Sequence, residues 1–329
     1  MKVFALMIFF TLFQWTYAQA EYQRVLKLMG SVFDITVVAD SKVEADEYID
    51  LAVSEIERIE QLISSWKTDS QTSLINQNAG IKPVVVDREL YDLIERSIRI
   101  SKLTDGAFDI SYASMDNIWR YDGSMQHMPT KEAITASVAK VGHQHIILNP
   151  NENSVYLKLP GMKIGFGAIG KGYAADKAKA LLLRKGIKNT IVNASGDLNA
   201  WGKRADGSEW KIAIKNPNDK QKIAAWLPVN DAAVVTSGNY EKFVVFNGQR
   251  YSHIIDPRTG YPVKGLKSVT IFAPSAELAD ALSTSVFVLG KEVGLDLINQ
   301  LKGVECLIID DENQITASEA LKIYVSKNK

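Results

Sequence analysis

The sequence predicts an α+β fold, with mixed or antiparallel sheets and packed helices, and three observations predict it. Stretches with apolar residues three and four apart alternate along the chain with short strand-like runs. Those runs often come as hairpin pairs, the strongest around Asn247-Gly248. No repeat at a fixed period, no low-complexity tract and no long linker divides the 329 residues, and 46% of them are hydrophobic, ample for one large core.

The chain opens with Lys2, an almost unbroken apolar run over 3–13, and the small-x-small step Ala18-Gln19-Ala20. This is the pattern of a secretory signal, and the run is too short for an ordinary membrane span. No cysteine follows it closely, so a lipid-anchored form is not expected. The sequence thus predicts a cleaved signal peptide over 1–20, an exported, periplasmic protein, and a single domain over 21–329.

Alternation predicts a strand over 33–39, and helical spacing of Ile49, Ala52, Val53, Ile56, Ile59 and Ile63 predicts a helix over 43–64. A second helix over 88–103 ends at Asp105-Gly106. A loop with short structure over 111–130, a short helix over 131–141 and a strand pair at 146–148 and 155–159 follow. A helix over 171–185 stops at Gly186. Strands are expected at 190–193, 210–214, 232–235, 243–246 and 250–254, then helices over 276–289 and 292–301, and closing strands at 304–309 and 322–325.

Lysine plus arginine and aspartate plus glutamate number 38 each, so the formal net charge is zero. That balance gives no electrostatic case for nucleic acid or an anionic membrane as main partner. The single cysteine, Cys306, lies in an apolar run and excludes an internal disulfide. It reads as packing rather than chemistry.

Four stretches stand apart. Residues 161–172, GMKIGFGAIGKG, hold five glycines that open onto a helix. Such a turn either packs tightly or lets backbone N–H groups approach a phosphate, and it is not a P-loop, since Gly172 follows Lys171. Asp280 and Thr284 share a helix face with Ser283 beside them, which is either a solvated face or hard-ligand chemistry for Mg²⁺ or Ca²⁺. His253 leads into the turn Asp256-Pro257-Arg258-Thr259-Gly260, as a general base or a structural side chain. Asp109 sits among apolar neighbours in Thr104–Ile110, where alone it would mean little.

Together these stretches resemble the ApbE-type FAD:protein FMN transferases, over nearly the whole chain from Met29-Gly30-Ser31 onward. The resemblance includes Ser64-Ser-Trp-Lys-Thr-Asp-Ser70 leading to Asn76, Asp105-Gly-Ala-Phe-Asp109, Gly170-Lys-Gly-Tyr-Ala-Ala-Asp176, Asn193-Ala-Ser-Gly-Asp197, Ser252–Gly260 and Ala279–Thr284. Any one is weak, whereas six in family order are specific. The resemblance implies an ApbE-like, T-fold-like architecture. It implies flavin contacts at Met29, Trp66, Ala107, Phe108, Asp109, Lys171 and Ile254, and Mg²⁺ ligands at Asp280, Thr284 and the Ala168 main-chain oxygen with Ser283 nearby. His253 is the family histidine. Relatives often carry tyrosine at Trp66 and commonly carry aspartate at Gly165, a carboxylate that holds FAD.

The activity this implies is attack by a threonine or serine hydroxyl of an acceptor protein on the FMN-side phosphorus of FAD, releasing AMP. The acceptor expected is a membrane redox-complex subunit or an exported flavoprotein. Two alternatives stay open: a Mg²⁺-dependent FAD pyrophosphatase giving FMN and AMP, and a non-catalytic periplasmic FAD-binding protein.

Overall fold

The computed structural model of the protein describes residues 19–216, 219–229, 231–240 and 242–321. The expected leader (but for its last two residues) and the strand expected at 322–325 lie outside the described residues. The elements are β1 (Ala20–Leu28), β2 (Ser31–Ala39), α1 (Lys42–Ile63), α2 (Gln71–Gln77), β3 (Val84–Val85), α3 (Arg88–Leu103), α4 (Lys131–Ser137), β4 (Ile146–Asn149) and β5 (Ser154–Leu157). They continue as α5 (Gly170–Arg184), β6 (Thr190–Ala194), β7 (Asp197–Trp201), β8 (Trp210–Asn216), β9 (Asp219–Val229), β10 (Ala232–Gly238), β11 (Phe243–Phe246) and β12 (Gln249–Ser252). The last are β13 (Leu266–Ala273), α6 (Ala276–Leu289), α7 (Lys291–Asn299), β14 (Glu305–Asp310) and β15 (Ile315–Ala317).

The main sheet runs in the order β1-β2-β6-β7-β10-β13-β14-β15, with every neighbouring pair antiparallel. This is the α+β fold the sequence predicts. Strand alternation gives the sheet two faces. Phe33, Ile35 and Val37 of β2 point to the core shared with α1, α5 and α6. Val38 points the other way, into a smaller cluster with Trp210, Ile214, Leu227 and Val229 of the β8–β9 hairpin.

α1 begins where the Ser41 side chain accepts the Glu44 N–H, and it buries Ala45, Ile49, Ala52, Ile56, Ile59 and Ile63 along one stripe. α6 starts in the same way, with Ser275 accepting from Leu278, and stops at Gly290 with φ +82°. It is apolar around most of its circumference because α5, α7, β10 and β13 surround it. Each fully buried Leu, Val or Phe there contributes about 1.5–3 kcal/mol.

Several strands escape the pattern reading for identifiable reasons. In β1 the inward row includes Arg24, whose guanidinium pairs with Asp46 and Asp50 of α1, so charge interrupts the apolar alternation. β13 is buried on both faces along most of its length, which erases alternation.

The sheet's direction positions the site. The β1–β2 turn, the β6–β7 turn and the start of α5 share one end, and β10 runs toward it, pairing Ala232 with Ala200 and then Val235 with Asp197. β13 leaves from that end, Ser268 facing Gly238. No helix among the described residues is long and apolar enough to cross a membrane.

Candidate active site

The glycine-rich turn is clamped from three sides before it reaches α5. Asn76 donates to the Ile164 carbonyl and accepts the Ile164 N–H, at 3.0 and 2.8 Å. The Ser114 hydroxyl does the same for Lys163, at 2.7 Å each way, and the Gly165 N–H reaches the Ile110 carbonyl at 2.9 Å. These bonds bring Ala107–Ala113, the loop carrying Ser65 and Trp66, and the turn together. A Cβ on Gly165 would lie 3.0 Å from Ala113 Cβ and 3.6 Å from Ser65 Oγ. Met29, at φ +50°, reaches the same turn from the β1–β2 corner, its Cε 3.9 Å from where a Gly170 Cβ would stand.

α5 has no side-chain cap of its own. Instead the two crossing helices exchange carboxylates. Asp280 of α6 accepts the Gly172 N–H of α5 at 3.2 Å, and Asp176 of α5 accepts the Ala276 and Glu277 N–H groups of α6 at 2.9 and 2.8 Å. Gly172 makes the close crossing possible, since a Cβ there would sit 2.1 Å from the Ala276 carbonyl oxygen. Burial pushes the Asp280 carboxyl above its ordinary range, with the Lys171 charge pulling it back. Burial likewise pushes Asp176 up to about 6, against the pull of its two backbone bonds.

Hydroxyls gather on the same side of α6 as Asp280, and the Ser283 hydroxyl donates to the Asp280 main-chain carbonyl at 2.9 Å. Ser237, at the site end of β10, lies 2.8 Å from Ser283 Oγ and 3.4 Å from Thr284 Oγ1. Lys171 forms a close ion pair with Asp197 at the start of β7. His253 follows β12, and the Lys242 carbonyl receives both its backbone N–H, at 3.0 Å, and its ring Nδ1, at 3.2 Å. An Nδ1–H donated to that carbonyl leaves the lone pair of the neutral ring on Nε2. The Tyr121 ring meets the imidazole edge-on at 6.5 Å, and its hydroxyl donates to the Ser252 carbonyl at 2.8 Å.

These contacts draw the sequence-predicted residues into linked clusters at one end of the sheet. Ala107 and Phe108 are buried beside the turn, and Ile254 is buried next to His253. Arg258 packs against Gly106, which ties the Asp256–Gly260 turn to the Ala107–Phe108 loop. Trp66 is 92% exposed and offers its ring face to solvent. Asp109 points inward, accepting from the Ser111 N–H and hydroxyl and from the His143 N–H. Two participants lie outside the stretches the sequence singled out. Ser237 continues the core-facing row of Ala233 and Val235, but it falls past the end of the strand expected at 232–235, and only extending that alternation would have reached it. The Asp176–α6 contact joins segments 100 residues apart, which no local pattern reports.

The ApbE family profile matches residues 29–308. The chain belongs to the ApbE family. The FAD:protein FMN transferase of Escherichia coli K12 is 32% identical over 87% of this chain and 83% of its own length. That of Treponema pallidum is 32% identical over 92% and 88%. The ApbE protein of Thermotoga maritima superposes with a TM-score of 0.81 at 31% identity, covering 91% of this chain and 97% of that one. The flavin transferase ApbE of Vibrio cholerae gives 0.80 at 28% identity, covering 92% and 98%. The ApbE fold and the clustering of its motifs at one sheet end therefore agree.

Proposed function

We infer that this ApbE protein transfers FMN from FAD to a threonine or serine hydroxyl of an acceptor protein, releasing AMP, with Mg²⁺ at the Asp280 site. The observation that supports the metal most directly is the chemistry around Asp280. A buried carboxylate holds one long N–H bond and its protonation is favoured by desolvation, while Ser283 and Thr284, three and four residues on, stand on the same side of α6 with Ser237 against them. A hard cation would restore its charge, and oxygen donors of this kind suit Mg²⁺ when substrate phosphates complete the shell. Asp280, Thr284 and the Ala168 carbonyl would hold the ion, with Ser283 adjacent.

When bound, Mg²⁺ screens the pyrophosphate charge and stabilises the departing AMP. The protein's own groups do the rest. The N-terminal turn of α5 and the Lys171 charge favour the phosphates. The buried Ala107–Phe108 loop, Ile254, Met29 and the exposed Trp66 ring provide apolar and aromatic surface for a flavin. His253 Nε2 takes the acceptor hydroxyl proton as the new O–P bond forms and the P–O bond to AMP breaks, a role typically worth ~10²–10⁴-fold. Cys306 is fully buried and its thiol is pushed up by burial, so it supplies no nucleophile for a covalent enzyme intermediate. Transfer is a single displacement.

Export and an acceptor that is a membrane redox-complex subunit or an exported flavoprotein belong to the same proposal. Both rest on the leader-like start of the sequence. Incubation with FAD, Mg²⁺ and a candidate acceptor should raise the acceptor mass by one FMN less one water. AMP released equally fast without acceptor would favour hydrolysis instead. His253→Ala should slow transfer by ~10²–10⁴-fold with FAD binding unchanged.

A further inference from the structure

We propose that the open edge of β11 is the docking strand for the acceptor, an extended segment of which adds to it as a third strand and so brings its hydroxyl to His253. The proposal rests on the transfer reading, in which a protein hydroxyl must come within hydrogen-bond reach of the His253 ring.

The edge follows from the hairpin's own turn. Asn247 and Gly248, at φ +50° and +75°, make a two-residue turn closed by the Phe246–Gln249 pair. In an antiparallel ladder only every second pair exchanges N–H···O bonds. The His253 N–H donates to the Lys242 carbonyl at 3.0 Å, so the bonded pairs are Lys242–His253, Val244–Tyr251 and Phe246–Gln249. Phe243 and Val245 therefore turn their N–H and C=O groups away from β12. The β11–β12 sheet has two strands, and among the described residues no hydrogen bond takes up those outward groups. An unpaired edge of this kind is a template for another strand.

The side chains of the same two residues make the edge selective. Val244 and Phe246 pack against the cluster of Trp119 and Tyr251, whereas Phe243 and Val245 are 38% and 55% exposed on the opposite face. Arg250, directly across from Val245, lies over the Phe243 ring with its guanidinium carbon 4.1 Å from the centroid, which holds the ring in place. The partner that fits has a backbone edge to pair and apolar side chains at alternate positions, as an extended protein segment has. Its location names the occupant. Lys242, whose carbonyl holds the His253 ring at 3.2 Å, is the residue next to Phe243. A strand added along β11 runs up to that imidazole, where the acceptor has to arrive.

The test uses the full chain with FAD and Mg²⁺, and a short synthetic peptide in which valine and glutamate alternate around one threonine. Transfer is read from the peptide mass and from AMP release. In antiparallel addition the valines stand opposite Phe243 and Val245, on the same face, and their N–H groups point at β11. Methylating the valine amide nitrogens should cut transfer by about tenfold or more, whereas methylating the glutamate nitrogens should leave it within about twofold. Phe243→Ser combined with Val245→Ser should raise the peptide KM by about tenfold, with kcat, FAD binding and the melting midpoint kept. Any other pattern of methylation effects, or an unchanged KM, overturns the proposal. So does a changed oligomeric state of the serine variant with KM kept, which would assign the edge to a second copy of this chain. AMP release with no modified peptide overturns the docking strand alone, while a protein that neither binds nor cleaves FAD overturns the transfer reading itself.

Discussion

Asp176 and Asp280 are two buried aspartates exchanged between the same pair of helices, and they have opposite endowments. Asp176 accepts two short backbone bonds from α6 and a third from Asn199 at 2.6 Å, so its oxygens are well supplied by the protein. The Asp280 carboxylate has the single 3.2 Å bond from Gly172. The difference teaches how one crossing serves two ends. A carboxylate saturated by N–H donors fixes geometry, whereas one left undersupplied keeps acceptor capacity for a cation.

The largest effect should come from the point both share. Gly172→Ala places a methyl 2.1 Å from the Ala276 carbonyl oxygen, a backbone atom that cannot step aside. The expected cost is about 3 kcal/mol, which outweighs the ~1 kcal/mol that alanine gains over glycine in a helix. Denaturant melts should show it, and transfer activity should fall with the fold. An unshifted midpoint would mean the crossing is looser than described.

Asp280→Ala separates function from stability. It removes a costly buried carboxylate, so the melting temperature should hold, while Mg²⁺-dependent turnover should fall by about a hundredfold or more. Full activity at limiting Mg²⁺ would contradict the metal assignment. Asp176→Ala should do the reverse, costing about 1–3 kcal/mol of stability by orphaning two N–H groups at the start of α6.

How far the sequence disclosed this arrangement follows from the range of each interaction. Helices α1, α3 and α6 were legible within a residue or two, because their apolar spacing and caps are local. The motif stretches around Lys171, His253 and Asp280 were legible as candidates for the same reason. The exchange of carboxylates was not, since it joins Asp176 to Ala276 and Gly172 to Asp280 across about a hundred residues. β13 was hidden by burial on both faces, and β1 by Arg24 on its inward row.

A smaller effect comes from titration. Asp176 is held at about 6 in the folded protein against an ordinary 3.8. A raised carboxyl pKa means the folded state binds more protons, so this group's stability contribution is present below about pH 4 and lost as pH rises through about 6. Its share should be about 1–3 kcal/mol, read as a pH-dependent midpoint that flattens in Asp176→Ala. The same slope in both proteins would assign it elsewhere.

The smallest concerns Gly165, where the family resemblance implies an aspartate. Its φ is not positive, so no glycine-only conformation forbids a side chain, and the one tight neighbour is Ala113 Cβ at 3.0 Å. Gly165→Asp should tighten FAD binding by about tenfold, and Ala113→Gly should enlarge the gain by relieving that contact. Weaker binding by both forms would show that this turn has no use for the carboxylate.

Cys306 has a practical consequence. It is the chain's single thiol, it has no exposed surface, and it sits in β14 paired to Ile271 of β13, inside the main sheet. Burial pushes its pKa upward, which suppresses thiolate as well as access. A thiol reagent can reach it only when that part of the sheet opens, so its labelling rate is an intrinsic clock for sheet opening. Ligands that bind the native state should slow that clock by a factor of one plus the ratio of ligand concentration to Kd, and this turns a chemically silent residue into a one-site reporter of FAD binding and a test of the proposed Mg²⁺ site.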